Sequence, residues 1–181
     1  RVEVLEEAAR AIYREWFGRL RSTSGGRDLG LPPGWSRRPA SQVLLVNPRI
    51  RPAQSSFKKV TMADVDERTS IVFPSAEAAK AAGSRFMRDD VLFARITPCL
   101  ENGKTGLVKF LEPGAVAVGS TEFMVLRGRT VGPAFTYCAA RSDELREPAI
   151  KSMSGASGRQ RVAVNAFDSV LLVEPSAPVA Q

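Results

Sequence analysis

The sequence predicts an α+β fold, in which a mixed, largely antiparallel β-sheet domain follows one long amphipathic helix of the coiled-coil type. Two observations lead to this prediction. Apolar residues recur at three- and four-residue steps over a long stretch at the start of the chain. Further along, short runs rich in Val, Leu and Phe are bounded by Gly, Pro, Asn or Asp, which is typical of strands. These runs outnumber the helical stretches and do not alternate with them, which favours an α+β arrangement.

The first predicted element is a helix over residues 2–21, VEVLEEAARAIYREWFGRLR. A lone helix of this length is marginal in water unless its apolar face is covered. The pattern leaves two interpretations open, because the helix can fold back on its own domain or pair with a partner helix. A Ser/Gly/Pro-rich stretch at 22–33 favours the partner. The predicted helix interface comprises Leu5, Ile12, Trp16, Phe17 and Leu20.

The predicted organisation is a helix at 1–22, a linker at 23–33, a domain at 34–175 and a tail at 176–181. Two further helical stretches are predicted, at 75–82 and at about 132–153. In the second, Ser142 is expected to start a new turn and Pro148 to break or kink the helix. Strands are predicted within residues 41–47, 89–96, 106–111, 115–120, 123–128 and 168–175.

The composition excludes several classes of function. Histidine is absent, which removes Ser-His and Cys-His triads and H-E-x-x-H metal sites. Cys99 and Cys138 match neither a disulfide framework nor a zinc site, so a reducing, cytoplasmic location is expected. No apolar run approaches the roughly 20 residues that span a bilayer, so no membrane association is predicted. Because residue 1 is Arg, we expect a piece of a longer protein or a processed product.

Positive charge is segregated along the chain. Lys and Arg total 26 against 19 acidic residues, and residues 27–59 hold seven bases and one acid. Residues 151–161 hold three bases and no acid. Such segregation favours a polyanionic partner, usually nucleic acid, although a merely soluble basic surface is the alternative. Lys58 and Lys59, which close the first basic run, are candidate DNA contacts.

The stretch ITPCLENGKTG at 96–106 resembles a nucleotide-binding P-loop at first sight. A P-loop needs a glycine where this chain has Pro98, and it needs a helix after Thr105, where the sequence is strand-like. We therefore predict no nucleotide site and interpret the stretch as a loop between two strands. Its candidate DNA contacts are Arg95, Asn102, Gly103 and Lys104, because Arg, Asn and Lys can bond base edges. The alternative is an ordinary connection with solvated polar residues.

A second candidate loop is KSMSGASGRQRV at 151–162. Small hydroxyl residues, free backbone N–H groups and paired arginines are good phosphate contacts. The alternative is a flexible basic loop. The candidate contacts are Lys151, Ser154, Ser157, Arg159, Gln160 and Arg161.

Seven pieces of the chain, in order, resemble the specificity subunits of type I restriction–modification systems. They are REWFGRLR, LPPGW, VLFARITPCLENGKTGLV, VGSTEFMVLRG, FTYCAARSDELREPAI, SGASGRQRV and LLVEP. In that family the helix is a spacer and the domain that follows is a target recognition domain. The resemblance thus implies one of the two recognition domains of such a subunit with one of its two helices. The loop at 96–106 would face DNA, and Glu122 would be architectural, holding neighbouring backbone N–H groups.

The function that the resemblance implies is sequence-specific recognition of double-stranded DNA, without catalysis or a cofactor. The implied partners are a modification (methyltransferase) subunit, a restriction subunit through the complex, and a second copy of the chain through the helix. Three alternatives stay open. A nuclease is suggested only faintly by Glu77 and Lys80. A recognition domain fused to a methyltransferase lacks support, because NPRI at 47–50 is not an N-P-P-[FY] motif. The third alternative is an assembly module that does not bind DNA.

Overall fold

The structure of the protein, a computed structural model, describes residues 1–18 and 30–176. Helix α1 (Val2–Tyr13) continues as a π-helical stretch over Arg14–Gly18. The other described helices are α2 (Ala40–Val43), α3 (Pro133–Arg141) and α4 (Asp143–Lys151), with a 3₁₀ turn at Met62–Asp64. The strands are β1 (Ser36–Pro39), β2 (Leu44–Val46), β3 (Phe57–Val60), β4 (Ala76–Ala78), β5 (Ser84–Met87), β6 (Val91–Ala94), β7 (Thr105–Leu107), β8 (Val116–Gly119), β9 (Phe123–Gly128) and β10 (Leu171–Glu174).

The described strands form two four-stranded sheets and a two-stranded ribbon. The central sheet has the order β2-β9-β6-β7, and all of its neighbours are antiparallel. The outer sheet has the order β4-β3-β8-β5 and contains one parallel pair, β3 with β8. β1 and β10 pair antiparallel in the terminal ribbon. The predicted α+β fold with a mixed, largely antiparallel sheet is therefore confirmed.

The core lies on both faces of the central sheet. All four residues of β6, VLFA, are buried. Leu92 packs with outer-sheet residues that include Val60 and Phe86, whereas Phe93 belongs to the cluster that contains Leu145 of α4. A strand that is buried on both faces needs no polar residue at alternate positions, so it reads as a continuous apolar run. This is why the sequence predicts β6 correctly.

Helix α1 folds back on the rest of the chain. Tyr13 and Phe17 are buried, and the ring of Phe17 stacks on Trp35 with 5.1 Å between centroids and meets Phe135 edge-on at 5.1 Å. The carboxylate of Glu6 accepts hydrogen bonds from the backbone N–H and hydroxyl of Ser70 and from the hydroxyl of Tyr137. Aromatic packing and these polar contacts hold α1 against the domain.

The predicted helix interface needs correction at one position. Phe17 packs on its own domain and is 6% exposed, so it does not belong to a free helix face. The other predicted members that the structure describes, Leu5, Ile12 and Trp16, are 70%, 54% and 52% exposed. Leu20 and most of the predicted linker lie outside the described residues. The domain boundaries at 22, 33 and 175 stay predictions.

The helix predicted at 75–82 is wrong. Residues 76–78 form β4 and pair with Phe57–Lys59 of β3, so a tertiary pairing overrides the helical propensity of an alanine-rich stretch. Strands β1, β3 and β5 were also not among the predicted ones. The helical stretch at 132–153 is confirmed as α3 and α4, which meet at Ser142, but α4 continues through Pro148 to Lys151.

Three results bear on the exclusions made from composition. Both cysteines are free thiols, and burial raises the pKa of Cys138 to about 11. In the ranges 1–18 and 30–176, no helix combines the length and apolar character that a membrane span requires. The same ranges contain no cluster of three or more acidic, Cys or His side chains that could hold a metal ion.

Candidate nucleic-acid interface

Residues 47–56, which we call the bridging segment, run without regular secondary structure from the central sheet to the outer sheet. Asn47, at its start, has a φ of 51°; its N–H donates to the Val125 carbonyl (2.7 Å) and its Oδ1 accepts from the Val125 N–H (2.9 Å). Asn tolerates this left-handed conformation better than most residues. Near the other end, Gln54 makes two hydrogen bonds to the backbone of Val116, at 2.7 and 3.1 Å. The bridging segment is therefore fixed near both ends.

The middle of the bridging segment presents two arginines to solvent. Ile50 packs against a cluster that contains Phe57, and its carbonyl accepts a hydrogen bond from Nη1 of Arg85 at 3.0 Å. Arg49 and Arg51, on either side of Ile50, are exposed. Ile50 is thus held against the protein while the arginines on either side of it stay exposed.

Two open cavities flank the bridging segment. The first, of about 440 Å³, reaches from the segment to residues 83–85, Arg95 and Thr121. The second, of about 570 Å³, reaches to Met87 and Gly114. No Asp or Glu is among the described residues that line either cavity. The arginines that line them are Arg49, Arg51, Arg85, Arg95 and Arg127.

Of these five arginines only Arg127 forms a salt bridge within the described residues, and Arg95 is attracted at longer range by the carboxylate of Glu122. Arg127 binds both carboxylate oxygens of the fully buried Asp90, at 2.6 and 2.8 Å. Arg85 donates to the carbonyls of Ala81 and Ile50, which accept its N–H groups but carry no charge to balance it. This surface therefore combines high positive charge with an open shape.

The two loops that the sequence predicts as DNA contacts meet at Arg95. The N–H of Val162 donates to the Arg95 carbonyl at 2.8 Å, and Nη2 of Arg95 donates to the Val162 carbonyl at 2.6 Å. Thr97 N–H donates to the Gln160 carbonyl at 3.1 Å. The Nε of Arg95 is buried and has no hydrogen-bond partner among the described residues. Arg95 thus joins the 151–162 loop to the first cavity.

The two arginines of the 151–162 loop differ in their surroundings. Arg161 forms a fork with the carboxylate of Glu122, with distances of 2.7 to 3.0 Å. Its hydrogen bonds hold the pKa of the Glu122 carboxyl below its ordinary value. Glu122 thus binds a guanidinium group and not the backbone N–H groups that were expected. Arg159 is exposed, and its side chain makes no hydrogen bond or ion pair within the described part of the chain.

The loop at 96–106 does not have the form of a P-loop. The residues after it form strand β7 and not a helix, as predicted. Gly103 is buried with a φ of 88°, and its carbonyl accepts a hydrogen bond from Arg141. The same nitrogen of Arg141 donates to the Glu67 carbonyl at 2.9 Å. The tip of this loop is therefore packed against α3.

Asn102 and Lys104 use their side chains inside the molecule. Nδ2 of Asn102 donates to the carboxylate of Glu67 at 3.2 Å, and Nζ of Lys104 donates to the Met62 carbonyl at 2.9 Å. Both acceptors lie in the stretch 62–67, and neither belongs to the 151–162 loop. Arg95, Gln160 and Arg161 thus meet through the 151–162 loop, whereas the side chains of Asn102 and Lys104 bond to residues 62–67.

The remaining predicted contacts are exposed. Lys58 and Lys59 lie on β3, with Lys58 opposite Glu77 of β4. Nζ of Lys151 lies 3.4 Å from Glu147 in the same helix. Ser154 pairs with Arg161 through backbone hydrogen bonds at 3.1 and 2.9 Å, and Ser157 is exposed near the tip of its loop.

The sequence-based candidates omit Arg49, Arg51 and Arg85. The first two fall in the acid-poor run 27–59, so the charge pattern contained a signal for them. Arg85 lies in a stretch of mixed charge, and only the fold brings it to Ile50.

The fold and sequence match known proteins over most of this chain. It is 26% identical over 162 residues to the type I restriction enzyme EcoEI specificity subunit of Escherichia coli. This match covers 83% of this chain and 26% of that protein. The EcoAI specificity subunit of the same species is 25% identical over 140 residues, covering 73% and 24%. The HsdS subunit from Thermoanaerobacter tengcongensis superposes with a TM-score of 0.62 at 26% identity, over 87% of this chain and 41% of that one.

The chain is thus similar in sequence and fold to type I restriction specificity subunits. The predicted resemblance is thereby confirmed, although no protein-family model matches the sequence. A chain from a structure of the type I R-M system has the same fold, with a TM-score of 0.55 at 15% identity, over 97% of this chain and 41% of that one. This chain spans about a quarter of the length of the curated specificity subunits that it matches.

Proposed function

We propose that this chain is a DNA-reading part of a type I specificity subunit, which recognises a sequence in double-stranded DNA and has no catalytic role. The observation that supports this most directly is the similarity to specificity subunits in both sequence and fold. The acid-free 151–161 loop, hydrogen-bonded to Arg95, adds a basic surface of the kind that nucleic acid requires. In a complete complex the chain directs a methyltransferase subunit and, through the complex, a restriction subunit.

The direct test is selection of bound duplexes from a random DNA pool, followed by sequencing. A recognition module enriches a short motif, whereas a merely basic protein retains all sequences equally. The same preparation is incubated with plasmid and magnesium, because a nuclease would cleave it. No enrichment together with cleavage would replace this proposal with the nuclease alternative, and no duplex binding at moderate salt would favour an assembly module.

The proposal extends to the exposed face of α1, which we assign to pairing with a helix of another specificity module, such as a second copy of the chain. Leu5 and Ile12 of α1 and Trp16 of its π-helical continuation lie on this face, and each is more than half exposed. Apolar side chains grouped in this way mark an interaction surface. Pairing with such a helix would place two recognition domains at the ends of the paired helices, so that they read two separated half sites.

Size measurement at high concentration tests the helix pairing. Ile12→Glu and Trp16→Glu are expected to shift an oligomer to monomer, because a charge on this face cannot be desolvated cheaply. Val164→Glu is the matched control, since Val164 is 66% exposed but lies outside α1. If the unsubstituted chain is a monomer and a soluble quencher reaches Trp16 freely, the face is not used for self-association.

A further inference from the structure

We propose that the bridging segment and its two flanking cavities hold the sugar–phosphate backbone of the duplex, an inference that rests on the proposed function. The charge of the side chains that line the two cavities supports this proposal. Five arginines and no described acidic residue line the two cavities, and only Arg127 has a salt bridge among described residues. A surface lined by positive charges without acidic residues attracts a polyanion, which supplies the charge that balances them.

The bridging segment is also held in place by the rest of the protein. Ile50 is anchored by its packing and by the hydrogen bond from Arg85 to its carbonyl, while Asn47 and Gln54 fix the segment near its ends. Arg49 and Arg51 are two positions apart, so their Cα atoms are at most about 7 Å apart. This is close to the spacing of neighbouring phosphates on one DNA strand, so both guanidinium groups can contact phosphates at the same time. A guanidinium fork binds phosphate oxygens in pairs.

The amide side chains of the bridging segment bear on which part of DNA it contacts. Asn and Gln read adenine through a free side-chain amide. The amide oxygen of Asn47 is bonded to Val125, and both ends of the Gln54 amide are bonded to Val116. Neither amide therefore has both ends free to pair with adenine. The groups that the segment does expose are two guanidinium groups, which bind phosphate oxygens and can also bond guanine. Equal weakening of binding to all sequences on their removal is the mark of phosphate contacts.

The test measures binding of the full chain to a fluorescein-labelled random duplex between about 50 and 200 mM salt. The double variant Arg49→Ala/Arg51→Ala is compared with Arg14→Ala/Arg129→Ala, which removes the same charge from exposed positions outside the two cavities. Each phosphate contact adds roughly one to the slope of log affinity against log salt. We expect the first variant to reduce the steepness of this negative slope by about 2 and the control to reduce it by less than 1.

The outcomes separate this inference from the proposed function. If the unsubstituted chain binds no duplex, the proposed function fails and the inference fails with it. If that chain binds but the Arg49/Arg51 double variant behaves like the control, only the inference is overturned. Displacement of the duplex by polyglutamate at equal charge concentration would overturn the choice of DNA over an acidic protein. Arg49→Lys/Arg51→Lys keeps both charges and is expected to keep most of the slope. If the alanine double variant does not fold, Arg51→Gln is used, with an expected change of about 1 in slope.

Discussion

The loop at 96–106 and the bridging segment are both polar connections at the edge of the central sheet, yet they use their polar groups in opposite ways. In the loop, Asn102 and Lys104 donate to the 62–67 stretch of the same chain. In the bridging segment the backbone and amide groups make the internal bonds, so Arg49 and Arg51 stay exposed. The type of a side chain therefore does not make a binding site by itself, because its hydrogen-bond donors must also be free to contact a ligand.

The largest expected effect comes from Gly103→Ala, which perturbs the internally bonded loop. Gly103 has a φ of 88°, and an added Cβ would lie 3.2 Å from Arg146 Nη1 and 3.3 Å from Arg141 Nη1. The strained backbone and the displaced arginines together should lower the free energy of unfolding by about 2–3 kcal/mol. Chemical denaturation measures this loss, and the salt dependence of DNA binding should not change.

Gly114→Ala is the matched control for Gly103→Ala. Gly114 has a similar φ of 84°, but an added Cβ would meet no atom within 4 Å. Backbone strain alone should then cost about 1 kcal/mol. Equal losses for the two variants would show that the packing of Arg141 and Arg146 around Gly103 adds no stability.

A smaller effect is expected from Lys104→Met, which decides whether this lysine is structural or a DNA contact. Methionine keeps most of the apolar stem but leaves the Met62 carbonyl without its donor, so the free energy of unfolding should fall by about 1 kcal/mol. The salt slope for duplex binding should stay the same. If stability is unchanged and preference at one base pair is relaxed, the original prediction of base reading by Lys104 is correct.

The bridging segment can be loosened without removing either of its exposed arginines. Arg85→Met deletes the hydrogen bond to the Ile50 carbonyl, and we expect duplex binding to weaken by a few-fold, with faster trypsin cleavage after Arg49. Arg88→Met is the control, because Arg88 also donates to two carbonyls, those of Lys109 and Leu111. Equal effects of the two variants would mean that the lost charge matters and the tether does not.

The sequence predicts the central sheet better than the outer one for a physical reason. β6 and β9 are long apolar runs because they are buried, whereas β3 carries Lys58 and Lys59 between its two buried residues and gives no such signal. β4 looks helical, since the pairing that makes it a strand is with residues about 20 positions away in the chain. Local pattern cannot report a pairing of that kind.

The candidate site shows the same limit. Charge counts along the sequence identify the acid-poor regions that contain Arg49, Arg51 and Arg159. They cannot tell which cations are already paired. Arg161 follows Arg159 by two positions but binds Glu122, which lies 39 positions earlier in the chain. Only the folded structure separates the paired arginine from the one whose side chain forms no hydrogen bond or ion pair with a described residue.

The smallest expected effect tests that separation. Arg159→Ala should weaken duplex binding more than Arg161→Ala, because the charge of Arg161 is already balanced by Glu122. Conversely, Glu122→Gln should tighten duplex binding and raise the salt slope by up to about 1, since it removes the negative charge that balances Arg161. Glu112→Gln removes the same charge at an exposed position and is the control. If the two glutamine variants bind duplex equally, Arg161 does not reach DNA.

The pH dependence of stability provides an independent measurement of the Glu122–Arg161 pair. The pKa of Glu122 is lowered in the folded protein, mainly by its hydrogen bonds with Arg161. The pair therefore stabilises the fold above the pKa of an unfolded Glu, about 4.3, and this contribution is lost as the pH falls through the lowered folded value. The difference in unfolding free energy between the unsubstituted chain and Glu122→Gln should thus be constant near neutral pH and shrink below about pH 4. A difference that does not change down to pH 2 would show that Arg161 does not hold Glu122 ionised in solution, and Arg161 would then be as available to DNA as Arg159.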